Sequence, residues 1–134
     1  MSAAPLTIEQ FPEKLAVVQL APGADIPTWA ESSSIFSITA TATETSLVCA
    51  GRSVPTKAPG VRGLIGFALA GASDPTSVGV VVELLAPLAD EDISVMTLTT
   101  FGSVWVLVQS ADVDRATEAW RRRGHHVAAA VPVK

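Results

Sequence analysis

The fold is decided by residues 63–108, which read GLIGFALAGASDPTSVGVVVELLAPLADEDISVMTLTTFGSVWVLV. Three short runs within this stretch, 63–69, 95–100 and 104–108, are rich in β-branched and large apolar residues, a composition typical of strands. Only three residues, one of them glycine, separate the last two runs, which predicts a β-hairpin. The stretch therefore predicts one strand followed, further along the chain, by an antiparallel pair.

A helix is predicted between the first strand and the hairpin. Asp74 followed by Pro75 predicts that the helix begins there, because Asp accepts the free amides of a first turn and proline has no amide to leave unpaired. Pro87 removes a backbone hydrogen bond near the end, so we expect a kink or a tight final turn. The apolar residues recur at spacings of three and four, as on one helix face; they are Val78, Val81, Val82, Leu85, Leu88 and Ala89.

A second helix and a last strand complete this half of the chain. Residues 112–123 begin with Asp at the cap position, carry Val113, Ala116 and Trp120 on one face, and end in three arginines that suit a helix C-terminus. Residues 126–131 can add a strand. The order strand, helix, strand, strand, helix, strand predicts an α+β fold of the ferredoxin-like βαββαβ type, an antiparallel sheet with helices on one face.

The first half of the chain reads as a shortened copy of the second. Residues 36–40 and 45–50 predict another hairpin, which coincides with the second-half hairpin at a shift of 60 positions. Residues 15–20 predict a strand that coincides with the first strand of the second half at a shift of 49. The first half thus lacks 11 residues between strand and hairpin, about the length of a helix. We expect two tandem units, 1–62 and 63–134.

The remaining segments of the first half leave little room for regular structure. Residues 26–30 allow a brief helix. Residues 51–63 contain Pro55, Pro59 and Gly60 and are typical of a connector.

Composition excludes some classes of partner and of chemistry. The formal net charge is −4, so neither nucleic acid nor an anionic membrane surface is expected as a partner. Apolar residues make up 49% of the chain and charged residues 16%, against about 25% charged in an average domain, which indicates an extensive buried surface. The chain shows neither a secretory leader nor an apolar run long enough to span a membrane, so we expect a cytoplasmic protein.

The second-half motif resembles the small bacterial proteins with two ACT domains, which are similar to the ACT domains of the CASTOR arginine sensor. The motif is GxxDxxxxGxxxxLxxPLAxxxISV, and it is followed by Thr99, Thr100 and Phe101. The likeness extends over the chain from Leu15 to Val127. The motif positions are Gly71, Asp74, Gly79, Leu84, Pro87, Leu88, Ala89, Ile93, Ser94 and Val95.

The resemblance implies a non-catalytic regulatory fold that binds a small ligand, commonly an amino acid, where a strand-to-helix loop meets a neighbouring unit. The family tends to show acidic, Thr, acidic and Tyr residues after the aromatic of the second hairpin. Here Gly102, Ser103, Val104 and Trp105 stand at those positions, so two carboxylates are missing. Two functions therefore stay open: a regulatory protein that binds an amino acid or similar ligand, and a ligand-free interaction or scaffold module.

The predicted ligand site is the loop 71–78 together with the start of the helix and the end of the first hairpin strand. Free amides at a helix start suit a carboxylate, and neighbouring hydroxyls add hydrogen-bonding groups. The alternative is that Asp74 caps those amides and the hydroxyls only support the turn. The site residues are Ser73, Asp74, Thr76, Ser77, Val78, Gly79, Thr99, Thr100 and Phe101.

No catalytic residue, metal site or cofactor is predicted. Cys49 lies in an apolar strand run and is interpreted as a core residue. His125 and His126 are the only histidines, and an adjacent pair without nearby Cys or carboxylate spacing is poor support for metal binding or acid–base chemistry. The run 121–123 is interpreted as helix-end and surface charge.

Trp105 predicts an interface. The strand 104–108 is apolar on both faces, with Trp105 and Leu107 opposite Val104 and Val106, whereas a sheet with one wet face alternates apolar with polar residues. Another unit or another copy of the chain is expected to cover the second face, and we expect a homodimer.

Overall fold

The computed structural model describes residues 5–31, 33–70 and 78–129, which form two compact units. Unit I comprises the N-terminal segment up to Pro12 and the chain from Ile65 onward, and unit II comprises Glu13–Leu64. The strands are β1 (Thr7–Leu20), β2 (Ser37–Ala40), β3 (Thr45–Ala50), β4 (Gly60–Ala70), β5 (Val95–Thr99), β6 (Val104–Gln109) and β7 (His126–Ala128). The α-helices are α1 (Thr28–Glu31), α2 (Val80–Asp90) and α3 (Val113–Arg122), and short 3₁₀ turns lie at Gly51–Ser53 and Ser110–Asp112. The predicted α+β class is confirmed.

Unit I packs α2 and α3 against its sheet. Strands β5 and β6 pair antiparallel, with Val95 opposite Val108 and Thr99 opposite Val104. The alternate β6 residues Val104, Val106 and Val108 are buried in a core shared with both helices. The core also contains Ile65, Phe67, Leu84, Leu88, Ala116, Ala119 and Trp120.

The first helix of unit I begins later than predicted. Helix α2 begins at Val80, and Gly79, in the left-handed region with φ +87°, holds the cap position without a side-chain hydrogen bond. A start at Asp74 is therefore wrong: the chain turns at Gly79, a conformation glycine adopts without steric cost. Asp74 and Pro75 themselves lie outside the described residues.

The predicted tight final turn of α2 is confirmed. Pro87 lies inside the helix and is buried. Beyond it, the Glu91 amide donates to the Leu88 carbonyl at 3.1 Å and the Asp92 amide to the Ala89 carbonyl at 3.1 Å. The Ile93 amide also donates to the Leu88 carbonyl at 3.0 Å, and Asp92 has a left-handed φ of +56°, so the helix ends in a tight Schellman-type turn.

The second helix forms where predicted, with a different use of its cap residue. Asp112 holds the cap position of α3 without a cap hydrogen bond, and its carboxylate accepts from Arg115 at 3.1 Å instead. At the other end Arg122 pairs with Glu118 at 3.3 Å, and Arg123 pairs with Asp90. The arginine run 121–123 is thus surface charge with local partners, as predicted.

The N-terminal strand is much longer than the sequence indicated. We predicted a strand over 15–20, whereas β1 begins at Thr7. Its first residues pair in parallel with β7, Thr7 opposite His126 and Glu9 opposite Ala128. Strand β7 ends at Ala128 rather than Val131, and residues 130 and 131 lie outside the described range. The segment before Glu13 therefore belongs to unit I, together with the chain from Ile65 onward.

Unit II contains the first hairpin and the brief predicted helix. Strand β3 pairs antiparallel with both β2 and β1. Helix α1 places Ala30 in a core that includes Ala16, Val18, Leu47, Cys49 and Val54.

The predicted offset between the two hairpins is wrong by one residue. Ala40 faces Thr45 across the first four-residue turn, and Thr99 faces Val104 across the second, so the turns coincide at a shift of 59 rather than 60. A slip of one residue exchanges the two faces of a strand. At a shift of 59 the buried Leu47 matches the buried Val106, so the core faces coincide as well.

Candidate functional site

The turn between β5 and β6 is anchored to the end of β4. The Thr100 amide donates to the Ser103 carbonyl at 2.8 Å and closes the turn. The Ser103 hydroxyl donates to the Leu69 carbonyl at 2.6 Å. Leu69 is one residue before the end of β4, where the chain enters the loop that leads to α2. The hairpin end of the predicted ligand site is thereby fixed beside the point where its loop begins.

The described part of the predicted site is exposed and uncharged. The side chains of Val78 and Phe101 are fully exposed, and Thr99 and Thr100 are exposed as well. Gly79 is the cap residue of α2. Ser73, Asp74, Thr76 and Ser77 lie outside the described residues. The described groups offer hydroxyls, an aromatic ring and the first amides of α2, which suit a small polar ligand with an apolar part.

One of the two missing carboxylates would stand at a core position. Val104 is only 2% exposed and faces the interior of unit I. A carboxylate there would be taken out of water without a partner, which is costly. Gly102, the other position, has open space around it. This protein has therefore used the Val104 position for packing.

Trp105 is half-buried, and part of its cover comes from β1. The rings of Trp105 and Phe11 lie 5.5 Å apart in an edge-to-face arrangement at 66°. Both line a groove of about 290 Å³. The remaining lining residues are Glu9, Gln10, Pro12, Ala68, Ala128 and Ala129. The sequence analysis missed Phe11 because it placed the start of β1 eight residues too late.

His125 is a buried histidine that the sequence analysis treated as unremarkable. Its Nδ1 accepts the Leu6 amide at 3.0 Å, so the neutral ring carries its proton on Nε2. Nε2 is buried, has no hydrogen-bond partner in the described residues, and lies 3.7 Å from a carboxylate oxygen of Glu83. Burial lowers the pKa of His125, the Glu83 carboxylate opposes that shift, and Arg123 and His126 add to it.

The stability of the fold should therefore depend on His125 as pH falls. Unfolded histidine has a pKa of about 6.5, so below that pH the unfolded chain takes up a proton that the folded ring resists. The free energy of unfolding should decrease as pH is lowered through and below this value. His125→Asn, whose amide oxygen can still accept the Leu6 amide, should flatten that dependence in denaturant titrations across this range.

The exposed neighbour provides a control for this prediction. His126→Gln should retain most of the pH dependence, because it removes a smaller contribution and leaves the burial of His125, the largest cause of its lowered pKa, unchanged. An identical pH dependence in His125→Asn and the unmodified chain would contradict it.

Cys49 is a core residue, as predicted. It is a fully buried free thiol in unit II. Burial raises the pKa of the Cys49 thiol, and a hydrogen bond with Ser33 opposes the shift.

Within residues 5–31, 33–70 and 78–129 no group of three or more His, Cys, Asp or Glu side chains could hold a metal ion. In the same residues, none of the helices has the length and apolar character needed to cross a membrane.

Comparison with known proteins finds a family match in the second half of the chain. Residues 61–122 match an ACT domain. This ACT segment contains β4 through α3, and the predicted site lies on it. A second family model, described as an N-terminal domain, matches residues 13–57, which correspond closely to unit II. No functionally curated protein matches the sequence.

Solved structures share the ACT-like fold over most of the chain. A structural-genomics target from Agobacterium tumefaciens is 25% identical, with a TM-score of 0.89 over 98% of both chains. A Vibrio cholerae protein of unknown function, described as a possible transport protein, is 12% identical, with a TM-score of 0.74 over 90% of this chain and 91% of that one. The ligand-free regulatory subunit of aspartate kinase from Thermus thermophilus is 7% identical, with a TM-score of 0.57 over 84% and 93%. Residues 61–122 thus match an ACT domain model, and the fold of the chain resembles that of the regulatory subunit of aspartate kinase.

Proposed function

We propose that this protein is a non-catalytic regulatory ACT protein that binds an amino acid or a similar small ligand. The observation that carries the proposal is the ACT domain match over residues 61–122. The likeness to a regulatory subunit of aspartate kinase supports a regulatory rather than a catalytic role. A cytoplasmic location, expected from the sequence, is part of this proposal.

The proposed ligand site joins the loop after β4 to the β5–β6 turn. The bond from the Ser103 hydroxyl to the Leu69 carbonyl supports it, because it holds the turn beside the strand end that feeds the loop. The exposed ring of Phe101 and the exposed methyl groups of Val78 support it too, since a ligand would cover apolar surface that now faces water.

A scaffold module without a ligand is the alternative function. The two missing carboxylates favour it, because Gly102 has no side chain to contact a ligand and the Val104 side chain is buried in the core of unit I. Exposed apolar side chains such as Phe101 also suit a protein partner.

A ligand screen separates the two functions. The full chain is titrated with each proteinogenic amino acid by calorimetry and by thermal shift. A ligand at 100 times its dissociation constant stabilises the folded state by about 2.7 kcal/mol, which is readily measured. Stabilisation by one amino acid or a few is expected. No response to any of them would contradict amino-acid binding and favour the scaffold module.

A matched pair of variants then tests the site. Asp74→Asn should weaken binding of the amino acid found in the screen by about tenfold or more, because it removes the only charge among the proposed site residues. Asp25→Asn removes the same charge from an exposed position in unit II and should leave affinity unchanged. Equal affinity of both variants for the amino acid would show that Asp74 does not contribute to ligand binding.

Homodimer formation is also part of the proposal. Trp105 lies opposite Leu98 across the β5–β6 pair, and Leu107 lies opposite Met96, so four apolar side chains share one face of the hairpin. Leu107 is already buried within its own chain, whereas Met96 is exposed and Leu98 and Trp105 are only half-buried. A second copy of the chain would remove this surface from water through a twofold contact.

Trp105→Glu should convert the proposed dimer into a monomer. A central aromatic residue at an interface commonly contributes at least about 2 kcal/mol, so the dissociation constant should rise by about 30-fold or more. Light scattering across a concentration series measures it. Val82→Glu, at an exposed position of α2, adds the same charge and should leave the dimer intact. A monomeric unmodified chain at micromolar concentration would contradict the proposal.

A further inference from the structure

Unit II contains a pocket that the proposed function does not use. Its volume is about 360 Å³, within the usual range for small-molecule sites. All of its lining residues belong to unit II, so it is distinct from the proposed ligand site on the ACT segment. The lining residues are Glu13, Lys14, Gly51, Arg52, Arg62 and Gly63.

The charge of this pocket is opposite to that of the chain. The lining contains three cationic residues, Lys14, Arg52 and Arg62, and one acid, Glu13, so its formal charge is +2 in a protein of net charge −4. A local excess of cations attracts anions to this part of the surface. Two of the six lining residues are glycines, so backbone atoms form that part of the pocket wall.

Arg62 is held in place by neutral groups. Its Nη2 donates to the carbonyls of Pro55 at 2.7 Å and Ala58 at 3.0 Å. Because carbonyl oxygens carry no formal charge, these bonds orient the guanidinium without neutralising it. The connector between β3 and β4 thereby fixes a cation in the pocket wall.

Arg52 is oriented by a carboxylate. Its Nε lies 3.2 Å from Oε2 of Glu13, while the Ser34 hydroxyl donates to Oε1 of Glu13 at 3.2 Å. The side chain of Glu13 is only 17% exposed, whereas that of Arg52 is 64% exposed. Glu13 therefore acts as an inner anchor, and the guanidinium of Arg52 stays accessible to a solute.

We propose that this pocket binds a small organic anion carrying one or two carboxylate groups. The Nε–Nη2 edge of Arg52 pairs with both oxygens of Glu13, at 3.2 and 3.5 Å, and Nη2 of Arg62 donates to backbone carbonyls, so the Nη1 groups of the two arginines are the donors proposed to meet a carboxylate. Lys14, which also lines the pocket, adds a positive charge. Glu13 is a positioning residue that holds Arg52. The site lies outside the predicted ligand loop and does not depend on the proposed function.

Succinate is the probe that tests the pocket. It is titrated into the full, isotopically labelled chain at constant ionic strength, and the backbone amide resonances of Gly51 and Gly63 are followed by NMR. Both resonances should shift saturably, while those of α2 and α3 stay in place. Inorganic phosphate is titrated in parallel to separate a carboxylate site from a general phosphate site.

A pair of lysine variants makes the test specific. Lys14→Glu reverses a charge in the pocket and should weaken succinate binding by about tenfold or more. Lys57→Glu makes the same change at an exposed position of unit II outside the pocket and should alter affinity by less than about twofold. Retention of the amide resonances of α3 verifies that both variants are folded.

The proposal is overturned if succinate produces no shift up to about 20 mM. Equal weakening in both variants would also overturn it, since that result indicates screening of the whole surface. Phosphate binding without succinate binding would overturn the assignment to carboxylates. A failed amino-acid screen together with saturable succinate shifts would leave this pocket in place and contradict only the proposed function.

Discussion

Replacement of Trp120 by alanine is expected to lower the free energy of unfolding by about 3–5 kcal/mol. Trp120 is fully buried on α3. Its indole N–H donates to the Leu84 carbonyl of α2 at 2.8 Å, and its ring packs edge-to-face on Phe67 of β4 at 5.0 Å. One side chain thus joins both helices of unit I to its sheet. Truncation removes all of these contacts and opens a cavity, which chemical denaturation monitored by circular dichroism measures.

Two variants show which part of Trp120 is responsible. Trp120→Phe keeps most of the apolar volume but leaves the Leu84 carbonyl without this donor, so a smaller loss of about 1–3 kcal/mol is expected. Phe101→Ala removes a fully exposed aromatic and should change stability by less than about 0.5 kcal/mol. A loss in Trp120→Ala no larger than that in Phe101→Ala would contradict the packing seen in unit I.

The fold of the second half was predictable because its signals are local and agree with one another. The β5–β6 hairpin is a pair of apolar runs around a short turn, and α3 carries Ala116 and Trp120 on one face with a cap residue before it. Each signal depends on residues close in sequence. Periodicity and turn chemistry are therefore sufficient to recognise them.

The N-terminal part of β1 was not predictable from such signals. Residues 7–14 contain Pro12 and several charged side chains, which argue against a strand when read locally. Leu6 and Ile8 are buried in the core of unit I, and this segment pairs with β7, whose first residue is His126. That partner strand lies more than a hundred residues away in the sequence, so a pattern within a local window does not include it.

The candidate site was predictable only in part for a related reason. Thr99, Thr100 and Phe101 were correctly placed at the end of the first hairpin strand because that strand has a clear local signal. The start of α2 was misplaced because Asp74 followed by Pro75 is the strongest helix-start signal in this part of the sequence, whereas α2 begins after Gly79, which has a left-handed conformation. The charged pocket of unit II was missed entirely, since its cations come from three separate segments: Lys14 from β1, Arg52 from a 3₁₀ turn and Arg62 from β4.

Gly60→Ala is expected to be the most damaging change in unit II, with a loss of about 2–4 kcal/mol in the free energy of unfolding. Gly60 begins β4, and a Cβ added there would lie 2.3 Å from the Val17 carbonyl oxygen and 3.0 Å from the Val18 Cα of β1. Both atoms are backbone, so no side chain can rotate away. The strands must separate, which also strains the neighbouring hydrogen bond from the Gln19 amide to the Pro59 carbonyl at 3.0 Å.

Gly102→Ala is the matched control for this clash. No atom lies within 4 Å of a Cβ added at Gly102, so the change in stability should stay within about 0.5 kcal/mol. Thermal and denaturant unfolding of the two variants, measured side by side, should therefore differ by several degrees in melting temperature. Equal melting temperatures would contradict the close approach of β4 to β1 in unit II. If only Gly60→Ala lowers the melting temperature, glycine is required at position 60 because of the close contact between the strands. The turn-forming composition of the connector would then not be the reason.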